Sequence, residues 1–321
     1  MSGSVLITTD LLSQSDVSRI AQVAKVYTMQ QLEKEPDSIL PQVDVLIIGR
    51  WPKSLDIKKM TSLKMVQSLF AGVDMLPFKE IPGSVIICSN AGAYSYEVAE
   101  HAVALMLAAA HAICISGSSD KFTMDEFSEL TKISRTIYGK TAGIIGYGGI
   151  GKAFQSFLKG FNMKFLAYVR KMQTENSEVT MLQGRDGLES LLQQSDVILL
   201  SIPLTKRTKG MIGKDQLNIM KEDAIIVNVA RGDIVDAKSM AEHLKKHPSF
   251  IYASDVGWRI DNKEIGNPQG LFTGLKNYVT TPHIAGLLSS STGRPSAYAA
   301  DNVIRFLSGK EPLNKVDREE Y

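Results

Sequence analysis

Ile144-Ile145-Gly146-Tyr147-Gly148-Gly149-Ile150-Gly151 closes a short apolar run and opens a helical pattern marked by Lys152, Phe154, Phe157 and Leu158. Glycines at this spacing, between a strand and a helix, form a dinucleotide fingerprint. Gly146 permits the tight turn, Gly148 lets the backbone approach a pyrophosphate, and Gly151 allows close helix–strand packing. The helix start adds free N–H groups and a partial positive charge suited to phosphates. The stretch therefore predicts a doubly wound sheet that holds a dinucleotide on Gly146, Tyr147, Gly148, Gly149, Ile150 and Gly151.

Working outward, apolar strand-like runs recur at Ala142–Ile145, 164–169, Val197–Leu200, 224–227, Ile251–Ser254 and Tyr278–Thr280. These make about six strands. The first part of the chain repeats the alternation. Its strands are Val5-Leu6-Ile7-Thr8, then 43–48, 64–69 and 85–88, with a helical pattern opened by Ser15-Asp16. Short, almost wholly apolar strands separated by helices argue for parallel sheets covered on both faces. The expected fold is α/β with two doubly wound parallel-sheet domains: a Rossmann dinucleotide-binding domain (97–288) inserted in a flavodoxin-like substrate domain (1–96 and 289–321). The crossings near Tyr96 and Leu288 are read as a hinge, with the active site in the cleft and closure excluding water. A Ser/Gly break at 116–119, capped at Ser119 or Asp120, and an amphipathic segment at 121–138 lie between the domain series. A final helix is expected from about Pro295 to Leu307.

Composition is that of an ordinary globular protein: 321 residues, 44% apolar, 22% charged, net charge +2. That charge gives no reason to expect nucleic acid or a membrane surface as partner. Cys88 and Cys114 cannot make a disulfide framework, and both sit in apolar runs, which reads as buried thiols in a reducing cytoplasm. The N-terminus carries no signal-peptide pattern. The most apolar run, 98–115, is interrupted by Glu100, His101 and His111. Placing such polar groups in a bilayer costs roughly 2.5–3.5 kcal/mol for a charged carboxylate, so a buried helix is expected instead.

The strand after the glycine turn ends Tyr168-Val169-Arg170-Lys171. An acidic residue there would bond the adenine ribose of NAD and repel a 2′-phosphate, whereas Arg170 and Lys171 would bind that phosphate. NADP is therefore expected in preference to NAD. Two further motifs follow in order, Asn228-Val229-Ala230-Arg231-Gly232 and Thr281-Pro282-His283-Ile284-Ala285-Gly286. An arginine can hold a carboxylate and a histidine can move a proton, so the set supplies the parts for reversible reduction of a 2-keto acid.

With these motifs, and with Ala71-Gly72-Val73-Asp74, Val98-Ala99-Glu100-His101, Ser201-Ile202-Pro203-Leu204-Thr205 and Ser254-Asp255-Val256, the chain resembles the D-isomer-specific 2-hydroxyacid dehydrogenases over nearly its whole length. The resemblance implies that His283 is the general acid, an imidazole being suited to proton transfer near neutral pH. It implies that Arg231 binds the substrate carboxylate and keto oxygen. It gives the backbone of Ala71, Gly72 and Val73 to the carboxylate and Asp255 to the nicotinamide amide. The resemblance also implies Pro203, Thr208, Val229, Ala230 and Gly286 as further cofactor positions. It also suggests a homodimer built on the long helix and the arm to Tyr138. One departure stands out. The family places a glutamate a few residues after the Asp-Val pair, where it favours the protonated histidine; here that place holds Ile260. Glu264 is the expected substitute, with Asp261 as the alternative.

The leading expectation is an NADP-preferring reductase of a small 2-keto acid, glyoxylate or hydroxypyruvate. Phosphoglycerate dehydrogenase is the alternative within the class, and a dinucleotide-sensing binding protein the alternative outside it. His243 and His247 have the i,i+4 spacing of zinc ligands, but Lys245 and Lys246 disfavour a cation, so a solvated helix face and no metal are expected. Glu100 and His101 read as a buried polar pair. Arg50, with Trp51, follows a substrate-domain strand and is a candidate for the far end of a substrate; Arg294 is a similar candidate.

Overall fold

The computed structural model describes residues 3–52, 54–114, 123–172, 177–261, 263–287 and 293–321. The expected break at 116–119, its cap at Ser119 or Asp120, the crossing at Leu288 and most of the serine-rich stretch before Gly293 lie outside them. The chain divides into two compact units, one of Met1–Tyr94 with Ser290–Tyr321 and one of Ser95–Ser289.

The first unit holds strands β1 (Ser4–Ile7), β2 (Lys25–Thr28), β3 (Val45–Ile48), β4 (Met65–Ser68) and β5 (Ile86–Cys88). They pair in the order β2-β1-β3-β4-β5, every pair parallel. Successive side chains go to opposite faces. Leu6, Leu46, Ile48 and Val66 join one core cluster, while Val5, Ile7, Val45, Ile47 and Met65 join the other. The first face is covered from α2 (Met29–Lys34) and α3 (Pro36–Ile39). The second is covered from α1 (Gln14–Ala21) and the C-terminal helix Arg294–Leu307, through Ile20, Ala299, Ala300 and Val303. Each such Leu or Ile gains roughly 1.5–3 kcal/mol from burial, which is why both faces are apolar. Helix α1 is capped by Ser13, which accepts the Asp16 N–H at 3.2 Å, two residues earlier than the expected opening.

The second unit carries a seven-stranded parallel sheet of β6 (Thr141–Ile145), β7 (Lys164–Tyr168), β8 (Val179–Leu182), β9 (Val197–Leu200), β10 (Ile225–Asn228), β11 (Ile251–Ser254) and β14 (Tyr278–Thr280), in the order β14-β11-β10-β9-β6-β7-β8. A hairpin of β12 (Trp258–Ile260) and β13 (Lys263–Ile265) stands apart from it. The sheet is Rossmann-type. It has one strand more than expected, because β8 is an edge strand with a partly exposed Val-Thr-Met-Leu sequence and no apolar run. Helices α4 (Ser95–Ala110) and α6 (Gly149–Phe157) pack together, and α4 lies on β10 and β11. Helices α7 (Gly184–Gln194), α8 (Lys214–Asn218) and α9 (Ala237–Lys246) contribute to one core cluster of this unit through Leu191, Leu217 and Leu244. Helix α5 (Met124–Ile133) is shorter than the amphipathic segment expected at 121–138.

Helix α4 stops at Ala110, short of the apolar run's end, and Ala112 follows at φ 53°. Cys114 is consequently exposed, against the expectation of two buried thiols; only Cys88 is buried, and burial pushes its thiol up to about 11. Among the described residues no helix is long and apolar enough to cross a membrane.

Candidate active site

Strand order reverses direction at β6, whose neighbours are β9 and β7, and the glycine turn leaves β6 at that switch point. Ligands of open α/β sheets bind at such points. Gly146 sits at φ +98°, and a Cβ there would lie 2.8 Å from the Ser201 carbonyl oxygen. A Cβ on Gly151 would lie 2.6 Å from the Gly146 carbonyl oxygen, so the turn and helix α6 pack backbone to backbone. Around Gly148 nothing lies within 4 Å of a Cβ position, and no side chain caps α6. This open approach to an uncapped helix start fits the phosphates of a dinucleotide. The Tyr147 side chain is buried with its hydroxyl 3.3 Å from Gln155 Oε1, so only its backbone remains for a ligand.

Arg170 and Lys171 are both exposed just past β7, and Gln183 Nε2 donates to the Arg170 carbonyl at 3.1 Å. After β9 the loop is closed by Thr208, whose hydroxyl donates to the Pro203 carbonyl at 2.7 Å and accepts the Thr205 N–H at 2.8 Å.

Arg231 is placed by a side chain that the sequence motif contained without revealing its role. Asn228 ends β10, fully buried. Its Oδ1 accepts the Ala230 N–H at 3.0 Å, and its Nδ2 donates to the Arg231 carbonyl and to the Tyr252 hydroxyl, both at 3.0 Å. One amide thus folds the Val229-Ala230-Arg231 turn, burying Val229 and Ala230 and leaving Arg231 partly exposed. Gly232 then passes so close to the hairpin that a Cβ would lie 2.2 Å from the Gly257 carbonyl oxygen. Asn228→Ala strands these partners, at about 1–3 kcal/mol for a buried polar group left unsatisfied. The expected result is a lower urea midpoint; a parental midpoint would contradict this account of the turn.

The hairpin answers the missing glutamate. Chain reversal at Asp261, which has φ 49°, pairs Glu264 with Arg259 and brings it back beside the family's usual position. Glu264 Oε1 accepts the Gly257 N–H at 2.7 Å, and Oε2 lies 2.8 Å from His283 Nδ1. Burial opposes ionisation of Glu264, but the His283 contact, the Gly257 N–H and the charges of His283 and Arg231 outweigh it and hold the carboxyl below its usual range. The Glu264 and His283 side chains are 28% and 46% exposed, so the pair is open to a ligand. Arg231, Glu264 and His283 are therefore brought together within the second unit.

Asp255, 1% exposed, stands past the end of β11 and organises the loop that bears His283. Its Oδ1 accepts from the Thr281 hydroxyl at 2.6 Å and the Ile284 N–H at 2.9 Å; its Oδ2 accepts the Ala285 N–H at 3.0 Å. Any contact with a ligand amide would use a remaining lone pair of Oδ2. Gly286 follows, partly exposed. His283 itself holds φ 57°, a left-handed conformation that a non-glycine residue keeps when its surroundings fix it.

In the first unit, Ala71, Gly72 and Val73 follow β4 at the carboxyl end of its sheet, Val73 with its side chain in the core. Arg50 is exposed beyond β3, and Trp51 packs against the core.

Two expectations are corrected. His243 is not on a solvated face: it is buried, stacked on His247 with centroids 4.3 Å apart and edge-on to Phe250. Burial, with His247 and Lys246 beside it, pushes its imidazole down to about 4. Among the described residues no group of three or more His, Cys, Asp or Glu could hold a metal ion. His101 is not paired with Glu100, which is exposed; its Nε2 lies 2.9 Å from Thr281 Oγ1.

The profile of the D-isomer specific 2-hydroxyacid dehydrogenase NAD binding domain matches residues 103–285, from α4 through the His283 loop. The chain belongs to the D-isomer specific 2-hydroxyacid dehydrogenase family. It is similar to the glyoxylate reductase of Pyrococcus furiosus, 32% identical over 266 residues covering 80% of this chain and 76% of that protein. It is also similar to the D-3-phosphoglycerate dehydrogenase of Methanocaldococcus jannaschii, 31% identical over 97% of this chain and 59% of that protein. Among solved structures, a Pyrobaculum aerophilum protein provisionally described as a formate dehydrogenase superposes with a TM-score of 0.80 at 26% identity, covering 98% and 99% of the two chains. Like other members of the 2-hydroxyacid dehydrogenase family, the chain is a nicotinamide-dinucleotide-dependent oxidoreductase acting on a CH–OH group.

Proposed function

We propose that the chain is an NADP-preferring reductase of a small 2-keto acid such as glyoxylate or hydroxypyruvate. The observation that carries the reading is the 2.8 Å contact between His283 Nδ1 and Glu264 Oε2. An ionised Glu264 holds the proton of Nδ1, which leaves Nε2 of the imidazolium to donate to the substrate's keto oxygen. Arg231 binds the carboxylate and the same oxygen, which orients the carbonyl and stabilises the charge that develops on it. The family resemblance would add the backbone of Ala71, Gly72 and Val73 for a carboxylate, with Arg50 a further substrate candidate. A reduced nicotinamide, when bound, would supply the hydride; the product is the 2-hydroxy acid, the D isomer where C2 becomes a stereocentre, and His283 regains its proton from water.

The glycine turn from Gly146 to Gly151 would hold the pyrophosphate, with Pro203, Thr208, Val229, Ala230, Asp255 and Gly286 along the rest of the cofactor. The preference for NADP is supported by Arg170 and Lys171 standing exposed where an acidic residue would favour NAD. Arg170→Asp is expected to lower kcat/KM with NADPH by about 10- to 100-fold, the size of one or two charge-assisted hydrogen bonds, and to leave NADH within a few-fold. Equal kcat/KM for NADPH and NADH in the parent would overturn the preference.

The reading extends to a homodimer, supported by the exposed apolar side chains of Met124 and Phe127 on α5 and of Ile113 and Tyr138 before and after it in the chain. A cytoplasmic setting is supported by the two free thiols, one of them exposed.

A further inference from the structure

The residue that the site's chemistry leaves unexplained is His101. It lies on α4, a mostly apolar helix packed over β10 and β11, with its side chain 14% exposed. Its Nε2 is 2.9 Å from Thr281 Oγ1 and 3.4 Å from Asp255 Oδ1.

Proton bookkeeping fixes its role in that contact. The Thr281 hydroxyl has one hydrogen, and at 2.6 Å it goes to Asp255 Oδ1. Asp255 has none to return. Burial opposes its ionisation, but the hydrogen bonds from His101, Thr281, Ala285 and Ile284 outweigh it and hold its carboxyl below the usual range. Towards His101, then, Thr281 can only accept, and Nε2 must carry a hydrogen. His101 is a donor here in either protonation state.

What it donates to is the frame of the His283 loop. Asp255 takes the Ile284 and Ala285 N–H groups, directly after His283. Thr281 stands two residues before it, and its carbonyl accepts the His283 N–H at 3.0 Å. Both flanks of a residue held at φ 57° are thus tied to one carboxylate and one hydroxyl, and His101 secures those two from the helix beside them. Without this donor, the Thr281 oxygen loses the N–H it accepts and the Asp255 carboxylate loses the imidazole 3.4 Å away. The loop is then freer to relax from its strained conformation.

We propose that His101 is a positioning residue that acts through Thr281 and Asp255 to hold His283 in place. The proposal rests on the reading of His283 as the proton donor.

The test compares His101→Leu, of similar bulk without a donor, with His101→Gln, whose Nε2 can stand near the imidazole Nε2. Steady-state kinetics, dinucleotide affinity and melting temperature are measured on the full chain, and amide hydrogen exchange is followed over residues 281–287. In His101→Leu, kcat is expected to fall about 10- to 100-fold, the scale of a small misplacement of a catalytic group. KM for the keto acid and dinucleotide affinity should stay within about twofold on the same account, and His101→Gln should restore most of kcat. Exchange at Ile284 and Ala285 should speed up in the Leu variant and return towards the parent in the Gln variant. Parental kcat and exchange in His101→Leu would overturn the proposal. So would equal losses in both variants alongside equal drops in melting temperature, the pattern of a packing role. If the parent shows no turnover, the proton-donor reading of His283 fails, whereas the exchange comparison still decides whether His101 holds the loop.

Discussion

His283→Asn is expected to lower kcat for keto-acid reduction by about 10²- to 10⁴-fold, the contribution of a positioned general acid, with dinucleotide affinity and thermal stability near the parent's. Asparagine is the informative replacement because His283 sits at φ 57°. Asparagine tolerates the left-handed region better than other residues with a side chain, so the loop keeps its path while the proton donor is lost. A β-branched or aromatic replacement would mix strain with chemistry. Retention of a tenth or more of parental kcat would mean that another group protonates the keto oxygen.

Glu264→Gln is the second large effect. The amide can still face His283 Nδ1 but carries no charge to favour the imidazolium, so reduction near neutral pH should fall by about 10- to 100-fold. The alkaline limb of the pH–rate profile should move to lower pH, and the deficit should shrink as the solution is acidified. Stability should change with pH in a related way. The Glu264 carboxyl lies below its usual range in the folded chain, so its contribution is present above the unfolded pKa, about 4.3, and fades as pH falls through the folded value. The Gln variant should therefore be the less stable protein at neutral pH, with the difference closing in acid. A parental pH–rate profile would remove Glu264 from the proton-transfer pair.

The two sheets were legible because parallel strands buried on both faces must be apolar throughout, as Val45–Ile48 and Val197–Leu200 are. Val179–Leu182 escaped notice because an edge strand need not be. Arg231 and His283 were legible as motif residues, and Glu264 was expected beside His283 with Asp261 as the alternative, but the fold that brings it there was not legible. Distance along the chain from Asp255 does not show that β12 and β13 fold back on each other; only the pairing of Arg259 with Glu264 does. His101 was misread for a simpler reason. Neighbours i and i+1 on a helix do not face each other, so Glu100 points to solvent while His101 turns towards Thr281. The His243–His247 spacing did put both rings on one side, but Phe250 packs there and makes it a buried side. Asn228 gave no hint at all, since an asparagine at a strand end is ordinary until its three partners are seen.

The central claim is that the Arg231, Glu264 and His283 arrangement makes a working keto-acid reductase. The most direct measurement is oxidation of NADPH and NADH by the purified chain with glyoxylate, hydroxypyruvate, pyruvate and phosphohydroxypyruvate. The account predicts turnover with glyoxylate or hydroxypyruvate, faster with NADPH. Dinucleotide binding without turnover on any of the four would contradict it.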